Sequence, residues 1–324
     1  MTMKENVMSS QFMQSTPVLE LIGVPTSAAS YAPGQEKAPQ ALRDAGLIKE
    51  LQSVGIEVFD RGDLPVQRWQ PDRTNRYAQN LTAVTDYVMQ TKDLVRQAVA
   101  ANRIPLVLGG NCTLEIGTVA GHLPSKERIG LIYLDLHADL NTPDSTTDGA
   151  LDWMGMAHML NLEGARSQLA QCGSQTPLLD PEDVVFFGFD PNNATKWELQ
   201  QIEALNLRVV TCDEAASDPK GKATQILNEW GKNYDRLLIH FDVDVIDFVD
   251  LPLSENHDRN EGLSFAQTMT ALTAFVSDPK FSALTIAELN PDHGSEDGST
   301  VQKFVRALAK ALSHSCLSRA TAKA

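Results

Sequence analysis

The chain has 324 residues, with 42 acidic against 27 basic side chains and a net charge of −15 at neutral pH. That balance repels phosphate backbones and offers no basic patch to an anionic membrane surface, so neither nucleic acid nor a membrane is an expected partner. No apolar run reaches the roughly 18 residues of a membrane span, and the 42% of hydrophobic residues allows a large core.

Residues 1–16 lack the apolar stretch and small-residue cleavage site of a signal peptide and are expected to form a flexible arm. From there, short apolar runs alternate with amphipathic segments. The strand-like runs are VLELIGVP, IEVFDRGDLP, IPLVLGG, IGLIYLDLHADL, DVVFFGFDP, LRVVTCDE, RLLIHFDVDVID and ALTIAELNP. Helices are expected over Ala38–Val54, Ala78–Ala101, Asn193–Leu205, Gly221–Lys232, Ser264–Ser277 and Thr300–Ser313. Ser264 followed by Gln267 is a capping-box pattern.

Continuous apolar strands alternating with helices predict a doubly wound α/β fold, with a central parallel sheet of about eight strands. No linker-like stretch divides residues 17–316, so a single domain is expected, followed by a short tail over 317–324. Four widely spaced cysteines (Cys112, Cys172, Cys212 and Cys316) do not make a disulfide framework and suit a reducing cytoplasm.

Ligands of open α/β sheets bind beyond the carboxyl ends of the strands. Those ends carry GGNC, DLHADLN, GFDP, DVDVID and AELNP, so the chemistry-bearing residues converge on one edge. Alternate side chains of a strand share a face, which would place Asp135, His137 and Asp139 together, and likewise Asp242 and Asp244. Two acidic pairs and an imidazole at neighbouring strand ends repel unless cations neutralise them. Such donors suit Mn, Fe, Co, Ni or Zn, and four carboxylates exceed what one catalytic zinc takes, which points to two ions. His122, His158, His257 and His314 have no such company and read as ordinary residues. His240 precedes the Asp242 pair and, lying deeper, fits a core or supporting role.

The motifs GGNCTLEIGT, LDLHADLNTPDSTTDG, HFDVDVID and AELNP resemble, in order and spacing, those of the ureohydrolase family of arginases and agmatinases. The opening IGVPTSAASYAPGQEKAPQALRDAGL and RGDLP resemble that family as well. The resemblance implies a binuclear site, manganese first among the metals, with Asp135, His137, Asp139, Asp242 and Asp244 as ligands. It also implies hydrolysis of a guanidino group by a metal-bridging hydroxide. Asp139 and Asp242 fall at hydroxide-contacting or bridging positions, and Glu288 at the position that holds the guanidinium. Asn141, Thr146 and Asp148 match the loop that binds the far end of arginine, and Asp190 is a further substrate contact. A homotrimer or homohexamer is implied, with a small guanidino compound as partner.

The departures are specific. The family usually reads Gly-Gly-Asp-His-Ser where this chain reads Gly109-Gly110-Asn111-Cys112-Thr113, so Cys112 replaces a histidine ligand. As a thiolate it would bind metal and favour softer ions. Asp152 falls where the family carries a proton-shuttling His, and can donate a proton only if burial raises its pKa. Val245, Phe248 and Glu261 also depart from the common pattern. The expected substrate is arginine or a modified arginine such as N-hydroxyarginine. The alternatives are an agmatinase or guanidino-acid hydrolase, a non-catalytic member of the family, and a deacetylase-like enzyme, the last disfavoured by the second acidic pair.

Overall fold

The computed structural model describes residues 17–317. The expected arm over 1–16, and all of the expected tail but its first residue, lie outside the described residues. Eight strands form one sheet: β1 (Val18–Gly23), β2 (Val58–Asp63), β3 (Arg103–Leu108), β4 (Ile129–Leu134), β5 (Val184–Phe189), β6 (Arg208–Thr211), β7 (Arg236–Asp242) and β8 (Phe281–Ala287). Their order is β2-β1-β3-β8-β7-β4-β5-β6, and every pairing is parallel.

Apolar residues run continuously along central strands such as β4 and β5 because both faces are covered, whereas the edge strand β2 is largely exposed. In β4, Ile132 and Leu134 enter one buried cluster, while Leu131 and Tyr133 enter the other. The first cluster includes Phe241, Phe275 and Phe304, and the second includes Phe186 and Met156. Among the described residues no helix is long and apolar enough to cross a membrane.

Strands β3 and β4 follow one another in sequence but lie apart, with β8 and β7 between them. The chain therefore reverses direction across the sheet at its middle, and the ends of β3, β8, β7 and β4 open onto one crevice.

Three expectations are corrected. The helix expected over Ala38–Val54 is two, Ala38–Asp44 and Leu47–Ser53, separated at Gly46, whose φ of 88° is left-handed. A helix at Leu114–His122 was not anticipated; all nine of its residues are buried, so no polar stripe marks it in sequence. The strands expected to run through Leu140 and Asp247 stop earlier, β4 at Leu134 and β7 at Asp242.

The loop after β3 is locked by close approach. A Cβ on Gly110 would lie 1.6 Å from the Thr26 carbonyl oxygen, and the Gly110 carbonyl accepts the Glu288 N–H at 2.7 Å. Gly110→Ala is expected to lower unfolding free energy in denaturant titration by about 3 kcal/mol, the scale of an overpacked interior position.

Candidate metal centre

Each central strand delivers part of one site. After β4 the chain leaves the sheet at Asp135, whose Oδ1 accepts the His137 N–H at 2.6 Å. This side-chain-to-backbone turn, not strand alternation, brings Asp135, His137 and Asp139 to one place. Asp139 is left-handed (φ 51°), and its Oδ2 accepts the Tyr133 hydroxyl at 2.5 Å. Asp242 closes β7 and caps the following turn, accepting the Asp244 N–H at 2.7 Å. Cys112 follows β3, with its Sγ 2.7 Å from Asp242 Oδ2.

Glu288 follows β8, also left-handed at φ 60°. Its Oε1 accepts the Cys112 N–H at 3.0 Å and its Oε2 accepts from the Gln35 side-chain amide. Left-handed backbone at non-glycine residues costs on the order of 1–3 kcal/mol each and concentrates at working sites.

Two donor groups result. One ligand atom from each of Cys112, Asp135, His240 and Asp242 falls within 4.8 Å of the others, and the same holds for Asp135, His137 and Asp244. His137 Nδ1 lies 3.0 Å from Asp244 Oδ2. Asp135 Oδ2 and Asp244 Oδ1 are buried without a hydrogen-bond partner. Buried carboxylate oxygens left without hydrogen-bond donors in such a donor group fit cations.

The site opens into a cleft of about 250 Å³. His137, Asp139, Asp242, Asp244 and Cys112 form its floor, and Glu288, Asp148 and Asp152 line it further. Tyr31, Ala150, Trp153, Glu255 and Asn256 complete the wall. No lysine or arginine is among these lining residues. Asn141, Thr146 and Asp190 do not line the cleft. Asn141 is fully buried and accepts from the Thr195 hydroxyl at 3.0 Å. Asp190 holds its own turn through the Asn192 N–H at 2.9 Å. The Thr146 hydroxyl is buried without a partner.

The arginase family model matches residues 18–313. The chain belongs to the arginase family. The arginase of Bacillus subtilis (strain 168) is 26% identical over 292 residues, which cover 90% of this chain and 97% of that one. The solved arginase of Bacillus caldovelox superposes with a TM-score of 0.80 at 25% identity, covering 91% and 98% of the two chains. The formimidoylglutamase of Bacillus subtilis shares the fold, with a TM-score of 0.73 at 19% identity over 95% and 89%.

This arginase-family member is thus a hydrolase of amidine C–N bonds, of a metal-dependent family, with an Asp/His/Cys cluster able to hold metal. The sequence reading passed over Gln35, Tyr31 and Glu255. Only glycine in the quoted opening motif hinted at Gln35. Gly34 has φ 152°, and a Cβ there would lie 2.1 Å from the Asn290 side-chain amide, so the turn that presents Gln35 needs glycine.

Burial dominates the electrostatics. It pushes Asp135 up, followed by repulsion from Asp244. Asp139 and Asp242 rise well above the usual carboxylate range, from burial first and neighbouring carboxylates second. Burial works against charge on His137, but Asp244 and Asp135 outweigh it and keep the imidazole protonated well above its ordinary range. For Asp244 burial is in turn outweighed by His137, leaving its carboxyl low. Burial, then Asp242, drives the Cys112 thiol up. Asp152 is pushed up to about 7 by burial, against the Trp153 N–H. Glu288 rises well above its usual range, from burial and then Asp152.

Carboxylates raised in the folded state bind protons on folding. In chelated protein their contribution is therefore favourable at low pH and is lost as pH rises through the raised folded values. Cations displace those protons and stabilise the ionised cluster. The gap in Tm between metal-loaded and chelated protein is thus expected to widen from about pH 5 to about pH 8, measured by calorimetry. A gap that narrows over that range contradicts a cation-binding cluster.

Proposed function

We propose that the protein is a binuclear amidinohydrolase whose substrate carries a guanidinium at one end and a cationic or neutral group, not a carboxylate, at the other. The observation that carries this reading is the charge of the cleft. Glu288 stands beside the metal-binding floor, Asp148, Asp152 and Glu255 line the remainder, and no lysine or arginine is among the lining residues. Asn141 and Thr146, the expected binders of an α-carboxylate, lie outside it. Agmatine-like guanidines match this lining better than arginine or N-hydroxyarginine, whose α-carboxylate would meet acidic residues such as Asp148 without a cationic partner.

Asp135, His137, Asp139, Asp242 and Asp244, with Cys112, would hold two divalent ions. The oxygen and imidazole donors of the outer group suit manganese, whereas the Cys112 sulfur suits a softer ion. When bound, the pair supplies Lewis acidity and lowers the pKa of water. Glu288 accepts N–H donors from the guanidinium, through the lone pairs left after it has bound Cys112 N–H and Gln35. The Gln35 amide fixes the rotation of that carboxylate.

Asp152 meets the condition set for a proton donor, since burial holds it at about 7. Its carboxyl would protonate the departing nitrogen. Tyr31 and Trp153 close the cleft wall around the substrate's stem.

A panel of guanidines, run with Mn, Fe, Co, Ni and Zn and read as urea release, tests the assignment. Agmatine is expected to exceed arginine in kcat/KM by about tenfold or more, roughly the 1.4 kcal/mol cost of one badly placed carboxylate. A preference for arginine rejects the far-end reading, and no turnover of any guanidine rejects the amidinohydrolase.

Glu288→Gln should lower kcat/KM about 100-fold, because a neutral amide replaces a charged acceptor facing a cation. As a donor Asp152 must be protonated, so kcat should fall above about pH 7. That limb should vanish in Asp152→Asn along with most of kcat, and its survival there would assign it to another group.

A further inference from the structure

Beneath the floor of the site lies a buried pair that the proposed hydrolysis does not use. His240 sits on β7 two residues before Asp242, and Glu115 sits on the helix that follows Cys112. Both side chains are fully buried. His240 pairs across the sheet with Tyr133, and the two rings stack with centroids 4.1 Å apart and an angle of 12°. The ring orientation is therefore fixed by packing. Nδ1 faces Glu115 Oε2 at 3.5 Å, and Nε2 faces Asp135 Oδ2 at 3.9 Å.

We propose that His240 is a metal ligand through Nε2, completing the inner position with Cys112, Asp135 and Asp242, and that Glu115 is the positioning residue that holds its ring. This rests on the reading that the cluster binds cations.

Other buried histidines show what a core role looks like here. His122 Nδ1 lies 2.8 Å from the Thr118 carbonyl oxygen, and His158 Nδ1 lies 2.6 Å from that of Met154. His240 has no hydrogen bond at either ring nitrogen, and Glu115 has none at either carboxylate oxygen. His240 Nδ1 and Glu115 Oε2 at least face each other, whereas a buried Nε2 aimed at the cluster is costly unless a partner engages it.

A cation at the shared point resolves this. Ligands on one ion lie roughly 3 Å or more apart, as donors about 2.0–2.3 Å from the metal require. The 3.9 Å between Nε2 and Asp135 Oδ2 admits an ion between them, with a small contraction. With Nε2 so engaged, Nδ1 carries the proton and points at Glu115. This is the carboxylate–histidine–metal arrangement that fixes tautomer and ring orientation.

The inner position then has one sulfur, one nitrogen and two oxygens, a four-donor set suited to Zn, Co, Fe or Ni more than to Mn. The outer position, with Asp135, His137 and Asp244, contains no sulfur. The two positions should therefore differ in metal preference.

The test uses full-length protein loaded with cobalt(II). Bound metal is measured after gel filtration, and the thiolate-to-cobalt absorption reports the ion at Cys112. Wild-type protein is expected to hold two ions per chain. His240→Gln should keep the outer ion and lose at least tenfold in affinity for the inner one, with a weakened thiolate band. Glu115→Gln leaves the packed ring in place, and should weaken the inner ion alone by about 10–100-fold, the usual scale for a lost supporting carboxylate. It keeps the test decisive should His240→Gln fail to fold.

If both variants bind two ions with wild-type affinity and an unchanged thiolate band, His240 is only a buried residue and the proposal is overturned, while the amidinohydrolase reading stands. If wild-type protein binds no cobalt, both readings fall together.

Discussion

The constraint on which the site depends is the confinement of negative charge. Asp135, Asp139, Asp242 and Asp244 are all nearly inaccessible, with Glu288 and Asp152 close by. Among the described residues, His137 is the imidazole whose pKa this group raises, through Asp244 and Asp135. One imidazolium cannot offset so many carboxylates in a low-dielectric setting. In the protein alone burial, and then mutual repulsion, raises the pKa of Asp135, Asp139 and Asp242, and the alternative answer is metal. What makes the arrangement tolerable is the rest of the fold. Continuous apolar strands, covered on both faces, supply the stability that permits left-handed backbone at Asp139 and Glu288 and orphaned oxygens at Asp135 and Asp244.

The same confinement shapes the cleft above the floor. A guanidinium brings positive charge and a fork of N–H donors, which Glu288 can receive only because Gln35 and the Cys112 N–H have turned its carboxylate. Burial keeps Asp152 near neutrality, where a carboxyl can give up a proton. An Asp in open water would have lost it long before. A carboxyl at position 152 could thus serve as the proposed proton donor because it is buried.

How much of this was legible in sequence depended on periodicity. Whereas the edge strand β2, VFDRGD, is largely exposed, the central strands are continuous apolar runs of the length a buried parallel strand requires, and they were legible for that reason. The Leu114–His122 helix was not, because complete burial erases the polar stripe. Its Gly117 and Gly121 approach the backbone of the helix at Leu81–Ala100, where a Cβ would lie 2.8–2.9 Å from the carbonyl oxygens of Val88 and Lys92. Glycines at such spacing read as turns, not as packing. The convergence of Asp135, His137, Asp139, Asp242 and Asp244 was legible from strand ends, although the turns that achieve it were mistaken for strand. Tyr31 and Glu255 reach the cleft, and Gln35 reaches Glu288, from segments distant in sequence, and no local pattern announces that. Asn141, Thr146 and Asp190 carry side chains suited to substrate, but in the fold their oxygens face Thr195, the protein interior and Asn192.

The inner donor group shows why single-residue comparison misleads at such a site. Cys112 in place of a histidine, taken alone, is the loss of a nitrogen donor and the gain of a buried thiolate, which neighbouring carboxylates resist forming. With His240 as the proposed ligand, the nitrogen would be moved, not lost: it would arrive from β7 instead of from the loop after β3. The move requires a partner for the second ring nitrogen, and the helix directly after Cys112 provides Glu115 at 3.5 Å. It also requires a rigid ring, which the stack on Tyr133 supplies while the Tyr133 hydroxyl steadies Asp139. Asn111 fits the same logic, since a neutral amide bonded to the Thr113 hydroxyl adds no further negative charge beside the sulfur. Cys112, Asn111, Glu115 and His240 are therefore one interdependent set. A histidine at position 112 would crowd a second imidazole against His240, whose ring is already held between Tyr133 and Glu115, so the familiar ligand would be a poorer fit here than cysteine.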